Sequence, residues 1–167
     1  LSAVSYGASK IHILVGRKRQ EDLFSCRETL NLANYIFTAM GYGDERVEIL
    51  DEQDPEVVCT WLYSEARLSQ PTPASFLSEG DKRSLVYMAL AHLNKHAPDA
   101  QEVIDLPAGA PFGTIAVDAD NCTLCLACVG SCPANALQDN PERPQLKYSE
   151  IACVQCGLCA RTCPEKV

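Results

Sequence analysis

Apolar positions in the first hundred residues follow two different periods. Ile11, Ile13, Leu14 and Val15 make a short apolar run closed by Gly16, the pattern of a buried strand. Beyond the polar stretch Arg17-Lys18-Arg19-Gln20-Glu21-Asp22, the residues Leu23, Cys26, Leu30, Ala33, Phe37 and Met40 recur at steps of three and four. Such spacing places all six on one face of a helix. Gly41-Tyr42-Gly43 ends that helix, because glycine accepts the left-handed conformation of a C-terminal cap. Val47–Leu50 predicts a second strand. Asp54-Pro55 then opens a helix reaching about Leu68, with aspartate as N-cap and proline in the first turn. Ser69–Ser78 is a proline-bearing connector, and Asp81 caps a third helix that carries Leu85, Met88, Ala89, His92 and Leu93 and stops at Ala97-Pro98. Val103-Ile104 and Ile115-Ala116-Val117 read as strands on either side of Pro107–Gly113. Ser2–Ala8 reads as a helix end feeding the first strand. The order of these elements favours an α/β layer with some parallel pairing.

Composition narrows the class. With 167 residues, 47% apolar and 22% charged, the chain has room for a core, and neither disorder nor a collagen-like structure fits. No run of 18 uncharged apolar residues occurs, so no helix is expected to span a bilayer. A net charge of −8 and a pI near 4.8 argue against nucleic-acid or anionic-membrane binding, which need a basic surface. Of the 10 cysteines, only Cys26 and Cys59 precede Asn121; the other eight crowd the last 46 residues. This asymmetry predicts two domains, an α/β domain over 1–106 and a cysteine-rich domain over 107–167, giving an α+β chain overall. The chain opens on leucine, with a helix end ahead of its first strand, and reads as part of a longer protein.

The cysteines form a tandem repeat. Cys122-x2-Cys125-x2-Cys128-x3-Cys132-Pro133 recurs as Cys153-x2-Cys156-x2-Cys159-x3-Cys163-Pro164, an offset of 31 residues at all five positions. Ile115 aligns with Leu146 and Val117 with Tyr148, so a strand is expected to lead into each loop. Three thiolates at successive x2 spacings wrap a compact loop around an iron–sulfur cubane and aim backbone N–H groups at its sulfurs. The fourth cysteine, three residues on and followed by a proline that donates no N–H, leaves its own loop and ligates the other cluster. One [4Fe–4S] cluster is thus expected on Cys122, Cys125, Cys128 and Cys163, and a second on Cys153, Cys156, Cys159 and Cys132. Leu124, Leu126, Val129, Val154 and Leu158 are expected to cover the clusters, Gly130 and Gly157 to permit close backbone approach, and Arg161 to point outward. Disulfides rarely come as two identical runs of this kind, and tetrahedral zinc prefers paired CxxC units.

On these motifs, residues 115–167 resemble a bacterial-type two-[4Fe–4S] ferredoxin, matching all eight ligand positions and both prolines. The resemblance implies a pseudo-twofold β-α-β-β-α-β unit with closely spaced clusters and one-electron transfer at low potential. Two departures stand out. Asn140-Pro141-Glu142-Arg143-Pro144 reads as an extended turn. The second repeat stops at Val167, the counterpart of Ala136, whereas Pro133–Leu137 in the first is expected to continue into a short helix and strand; the native protein is therefore expected to run further. An α/β segment ahead of such a domain is similar to parts of multi-cluster iron–sulfur proteins associated with formate dehydrogenase, hydrogenase or heterodisulfide reductase. The layout of residues 1–106 loosely resembles the delta subunit of such hydrogenase complexes, without cysteine ligands after its first strand.

Other features have plainer readings. His92 and His96 sit one turn apart but lack a third metal ligand, and read as ordinary helix histidines. Cys26 and Cys59 read as core thiols. Arg17-Lys18-Arg19 reads as a solvated loop, since the glycine pattern of a dinucleotide loop is absent. With no nucleophile, base or phosphate loop in evidence, the chain reads as a non-catalytic electron carrier within an oxidoreductase system. The rival reading gives the clusters a structural or redox-sensing role beside a nucleotide- or flavin-binding α/β domain. Each oxidised cluster with its thiolates carries a formal charge of about −2. The expected partner is therefore a redox protein or domain with a basic docking patch. Oxygen-sensitive clusters of this kind point to the cytoplasm.

Overall fold

The computed structural model describes residues 1–15, 23–64, 68–77 and 80–167. It separates into two compact units, Leu1–Asp105 and Leu106–Val167. The basic loop Arg17-Lys18-Arg19 and the stretch 65–67 near the end of the second predicted helix lie outside the described residues.

The first unit runs α1 (Ser2–Ser5), β1 (Ile11–Leu14), α2 (Leu23–Ala39), β2 (Val47–Leu50), α3 (Pro55–Ser64) and α4 (Lys82–Lys95). β1 and β2 pair in parallel, Ile11 opposite Val47 and Leu14 opposite Leu50. Parallel neighbours need a crossover connection, and α2 lies within it. The predicted stripe on α2 is its least exposed face. Phe37 and Met40 at its C-terminal end are buried with Ile36, while Leu23, Cys26, Leu30 and Ala33 are half-buried. Val4 of α1, Tyr42, Val47 of β2, and Ala89 and Leu93 of α4 are buried with them. Asn34 on α2 holds the start of β2 as a strand would: its Nδ2 donates to the Val47 carbonyl at 2.8 Å and its Oδ1 accepts the Val47 N–H at 3.0 Å. Asn94 on α4 repeats the device with the N–H and carbonyl of Gln101, at 2.9 and 2.8 Å. The caps form as expected: Asp54 Oδ1 accepts from Glu56 N at 2.9 Å, and Asp81 Oδ1 from Ser84 N at 2.7 Å.

Several expectations for this unit are corrected. No residue of α3 is fully buried, and Cys59 is exposed because Val58 and Trp61 occupy its less exposed side. Cys26 is only half-buried. Neither is a core thiol. Val103-Ile104 forms no strand; Val103 is 75% exposed, and no neighbouring chain among the described residues supplies a ladder.

The second unit contains α5 (Ala127–Gly130), β3 (Leu137–Asp139), β4 (Leu146–Tyr148) and α6 (Leu158–Thr162). β3 and β4 form an antiparallel hairpin with Leu137 opposite Tyr148 and Asp139 opposite Leu146. Mixed helices and small sheets make the chain α+β. Within this unit the regular elements among the described residues read α-β-β-α. Ile115–Val117 forms no strand, because no segment among the described residues pairs with it. The short helix expected after Pro133 is a turn; the helical residues of each repeat instead begin at or before the third cysteine.

Candidate functional site

The duplication is written in the backbone. Leu124 and its counterpart Gln155 have φ of +53° and +54°, Leu126 and Gly157 +60° and +70°, and Asn135 and Lys166 +50° and +55°. Helices α5 and α6 likewise start at matching positions, Ala127 and Leu158. Left-handed residues therefore flank Cys125 in one repeat and Cys156 in the other. Alternating the sign of φ turns successive N–H groups to one side, the nest geometry that cradles anionic groups such as iron–sulfur clusters. A left-handed L-residue costs roughly 1–2 kcal/mol, so two copies of this geometry need a stabilising ligand or packing.

Two adjoining cavities bring cysteines of both repeats together, beside a third of about 420 Å³ that touches Cys122, Leu124, Val117 and Tyr148. The first, about 220 Å³, is bordered by Cys122, Cys125, Cys128, Cys159 and Cys163, with Leu124, Leu126 and Val117 over them. The second, about 190 Å³, is bordered by Cys132, Cys153, Cys156 and Cys159, with Val154, Leu158, Tyr148 and Gln155. Each loop's cysteines thus face the distant fourth cysteine of the other repeat. Cys159, Leu137, Ile115 and Ala160 border both cavities, so only a thin layer of side chains separates them. Val129 borders neither. Arg161 is exposed, as expected.

The crossing cysteines are the ones best supplied with backbone donors. Burial opposes ionisation of Cys132, but the N–H groups of Leu137, Ala136, Ala134 and Asn135 outweigh it and hold the thiol below its ordinary pKa. The Ala136 N–H donates to Cys132 Sγ at 3.2 Å. Cys163 is lowered chiefly by the N–H of Val167, then, against burial, by those of Glu165 and Lys166. Burial pushes Cys128 up, with the charges of Cys125 and Cys159 adding to the effect against the N–H groups of Val129 and Cys128 itself. At Cys153, Gln155 donates from its backbone N–H at 3.5 Å and from its side-chain Nε2 at 3.4 Å. Thiolate donors arranged around nests, with N–H groups aimed at sulfur, match the chemistry of an iron–sulfur cluster. Among the described residues no three Cys, His, Asp or Glu side chains converge tightly enough for a single metal ion. The donors instead stand apart around larger spaces.

Gly130 and Gly157 do not serve close approach: a Cβ at either would meet nothing within 4 Å. Gly157 meets the demand for positive φ, while Gly130 is simply the last residue of α5. Gln155, Tyr148 and Glu165 are cavity residues that the motif does not single out; their differences from Leu124, Val117 and Ala134 across the repeat are the available signal.

Elsewhere, His92 Nε2 lies 2.8 Å from the Thr72 carbonyl, and the His92 and His96 rings sit 4.7 Å apart. Beyond the C-terminal ends of β1 and β2, an open crevice of about 440 Å³ is bordered by Leu14, Val58 and Leu62 with the carboxylate of Glu52. Such crevices are where α/β sheets bind ligands. No helix among the described residues is long and apolar enough to cross a membrane.

Residues 121–167 match the family model of a 4Fe–4S dicluster domain. The curated proteins and the solved structures returned no significant match. This ferredoxin-type domain holds two [4Fe–4S] clusters, and its chemistry is electron transfer.

Proposed function

We propose that residues 106–167 are the two-cluster relay of a larger redox protein or complex, moving one electron at a time between a donor and an acceptor. In this reading Cys122, Cys125, Cys128 and Cys163 hold one cluster, and Cys153, Cys156, Cys159 and Cys132 hold the other. The observation that carries it is the pair of adjoining cavities, each bordered by the three loop cysteines of one repeat and the fourth of the other. Bound there, the clusters supply reversible one-electron chemistry. The protein's part is to fix their separation, exclude water with Leu124, Leu126, Val154 and Leu158, and donate N–H groups to the sulfurs. No bond rearranges, so proximity and potential govern the rate. The acidic module favours a partner with a basic patch, and its association is expected to weaken as salt rises.

Ligand exchange tests the assignment. Iron analysis of the anaerobically reconstituted full chain should give about eight irons. Cys132→Ser and Cys153→Ser should impair the same cluster and leave one identical set of EPR signals, while Cys163→Ser and Cys122→Ser should leave the complementary set. If Cys132→Ser instead matched Cys122→Ser, the crossed assignment would be wrong.

A further inference from the structure

The backbone of the two repeats matches closely, yet side chains bordering the two cavities differ, and at three aligned places the difference is one of polarity or charge beside the cysteines. Gln155 stands where the first repeat has Leu124, Tyr148 where it has Val117, and Glu165 where it has Ala134. Each difference bears on how readily the adjacent space accommodates added negative charge.

Gln155 is held in a fixed orientation. Its Nε2 donates to the Gly113 carbonyl at 2.8 Å and lies 3.4 Å from Cys153 Sγ. The same Gly113 carbonyl accepts from Tyr148 Oη at 2.7 Å, which sets the phenol beside Gln155, whose Nε2 lies 3.5 Å from that oxygen. A Cβ on Gly113, whose φ is +146°, would meet the Gln155 side chain at 3.5 Å. The Gln155 amide is thus held at one cysteine of the second cavity, with the Tyr148 phenol bracing it. The first cavity has leucine and valine at the equivalent positions and Glu165 on its border, whereas Glu150, the carboxylate near Tyr148, borders neither cavity. Reduction adds an electron to an already anionic cluster. Donors to the sulfurs stabilise that added charge and raise the potential; a nearby carboxylate does the reverse.

From these differences we infer that the two clusters are inequivalent in potential: the one beside Gln155 and Tyr148 accepts the first electron, and the one beside Leu124 and Glu165 accepts the second at lower potential. Gln155 is a positioning residue that tunes the upper couple through Cys153. The inference rests on the ligand sets proposed above. The reaction is addition of one electron to each oxidised cluster by an external one-electron donor, with no bond formed or broken. In the relay this gives direction, since an electron delivered at the low-potential cluster runs downhill to the other.

The test is an EPR-monitored reductive titration of the full reconstituted chain with dithionite as reductant. Two separate one-electron waves are expected. Gln155→Leu copies the first repeat, where leucine already occupies a φ of +53°. It should lower the equilibrium constant of the upper wave about tenfold, equivalent to about 59 mV for one electron, and leave the lower wave in place. Gln155→Glu, of equal length but carrying charge, should lower it further, an ordering that a purely structural role would not produce. Glu165→Gln should raise the lower wave alone, by less than tenfold because the group is exposed and screened. Coincident waves in the wild type, or Gln155→Leu moving the lower wave or neither, would overturn the inference. A chain with far fewer than about eight irons would count against the ligand reading itself; eight irons with coincident waves would count against the inequivalence alone.

Discussion

Arg46 offers a sharp test of what holds the first unit together. It is 1% exposed, and among the described residues no carboxylate pairs with it. Its guanidinium serves main-chain oxygens instead: Nε donates to the Tyr42 carbonyl at 2.8 Å, and Nη1 to those of Ser9 at 2.9 Å and Ser69 at 2.8 Å. Nη2 reaches Ser69 Oγ at 3.2 Å, and the Arg46 carbonyl accepts the Ile11 N–H at 2.8 Å. One side chain thereby fastens the entry to β1, the turn after α2 and the segment that follows α3.

Arg46→Met keeps a long apolar stem and removes the fork. Hydrogen bonds from a charged donor are worth roughly 1.5–3 kcal/mol each. Against their loss stands relief of guanidinium desolvation, itself several kcal/mol. Water can replace the donor at exposed Ser69, whereas the Tyr42 carbonyl is left buried without one, at roughly 1–3 kcal/mol. The net expectation is a loss of about 3 kcal/mol, the lower part of the range for removing one member of a buried charged network. Urea unfolding followed by fluorescence of Trp61, the chain's single tryptophan, reads this directly. Trp61 packs edge-on against His12 of β1 at 4.6 Å and so reports the strand that Arg46 fastens. Arg46→Lys should recover little, because an ammonium group cannot reach three carbonyls with a planar fork. A shift below about 1 kcal/mol for Arg46→Met would refute the reasoning, since it would mean that desolvation relief cancels the whole network.

Four further outcomes follow. Gly157→Ala should cost about 1 kcal/mol through strain at φ +70° without a clash, read as faster bleaching of visible absorbance in denaturant. Asn34→Leu should cost roughly 1–3 kcal/mol in the Trp61 transition, because the Val47 N–H and carbonyl lose their partners together. Asp81 is held below its ordinary pKa, first by the Ser84 backbone N–H. Its capping contribution is therefore present above the unfolded carboxylate pKa and is lost as pH falls through the lower folded value, so wild type and Asp81→Ala should differ in helix stability at neutral pH and converge in acid. Removing iron with a chelator should unfold the second unit, where Ala136 and Leu137 are the only buried hydrophobic residues among those described; a β3–β4 hairpin that kept its amide protection would contradict this.

The sequence was most informative where spacing and chemistry coincide. The thiolate repeat, the α2 stripe ending at Phe37 and Met40, and the caps at Asp54 and Asp81 are local patterns, each readable within a few turns of chain. What it concealed depends on partners distant in sequence. Ile115–Val117 has the apolar composition of a strand, but strandhood needs a neighbour, and those residues border a cavity instead. Cys59 lies between valine and tryptophan along the sequence, yet it is exposed in an open crevice beside Val58 and Leu62. Arg46 looks like any charged residue beside an acidic stretch, and nothing local marks it as buried. Gln155 is concealed differently: within a CxxC spacer any residue is admissible, and only its alignment with Leu124 draws attention to it.

That alignment explains how the duplication can be both conservative and functional. The backbone must repeat, because each loop needs left-handed residues at the same places to turn its N–H groups toward the cavity, and Leu126 meets that demand as Gly157 does despite its strain. The second side chain after the first cysteine of each loop is under no such demand. At Leu124 it closes the site with apolar surface; at Gln155 it brings a dipole to sulfur. Two copies with identical surroundings would give clusters of equal potential and no preferred direction of flow. Divergence at cavity-facing side chains, with the backbone held constant, changes the relative potentials without changing the geometry that binds the clusters.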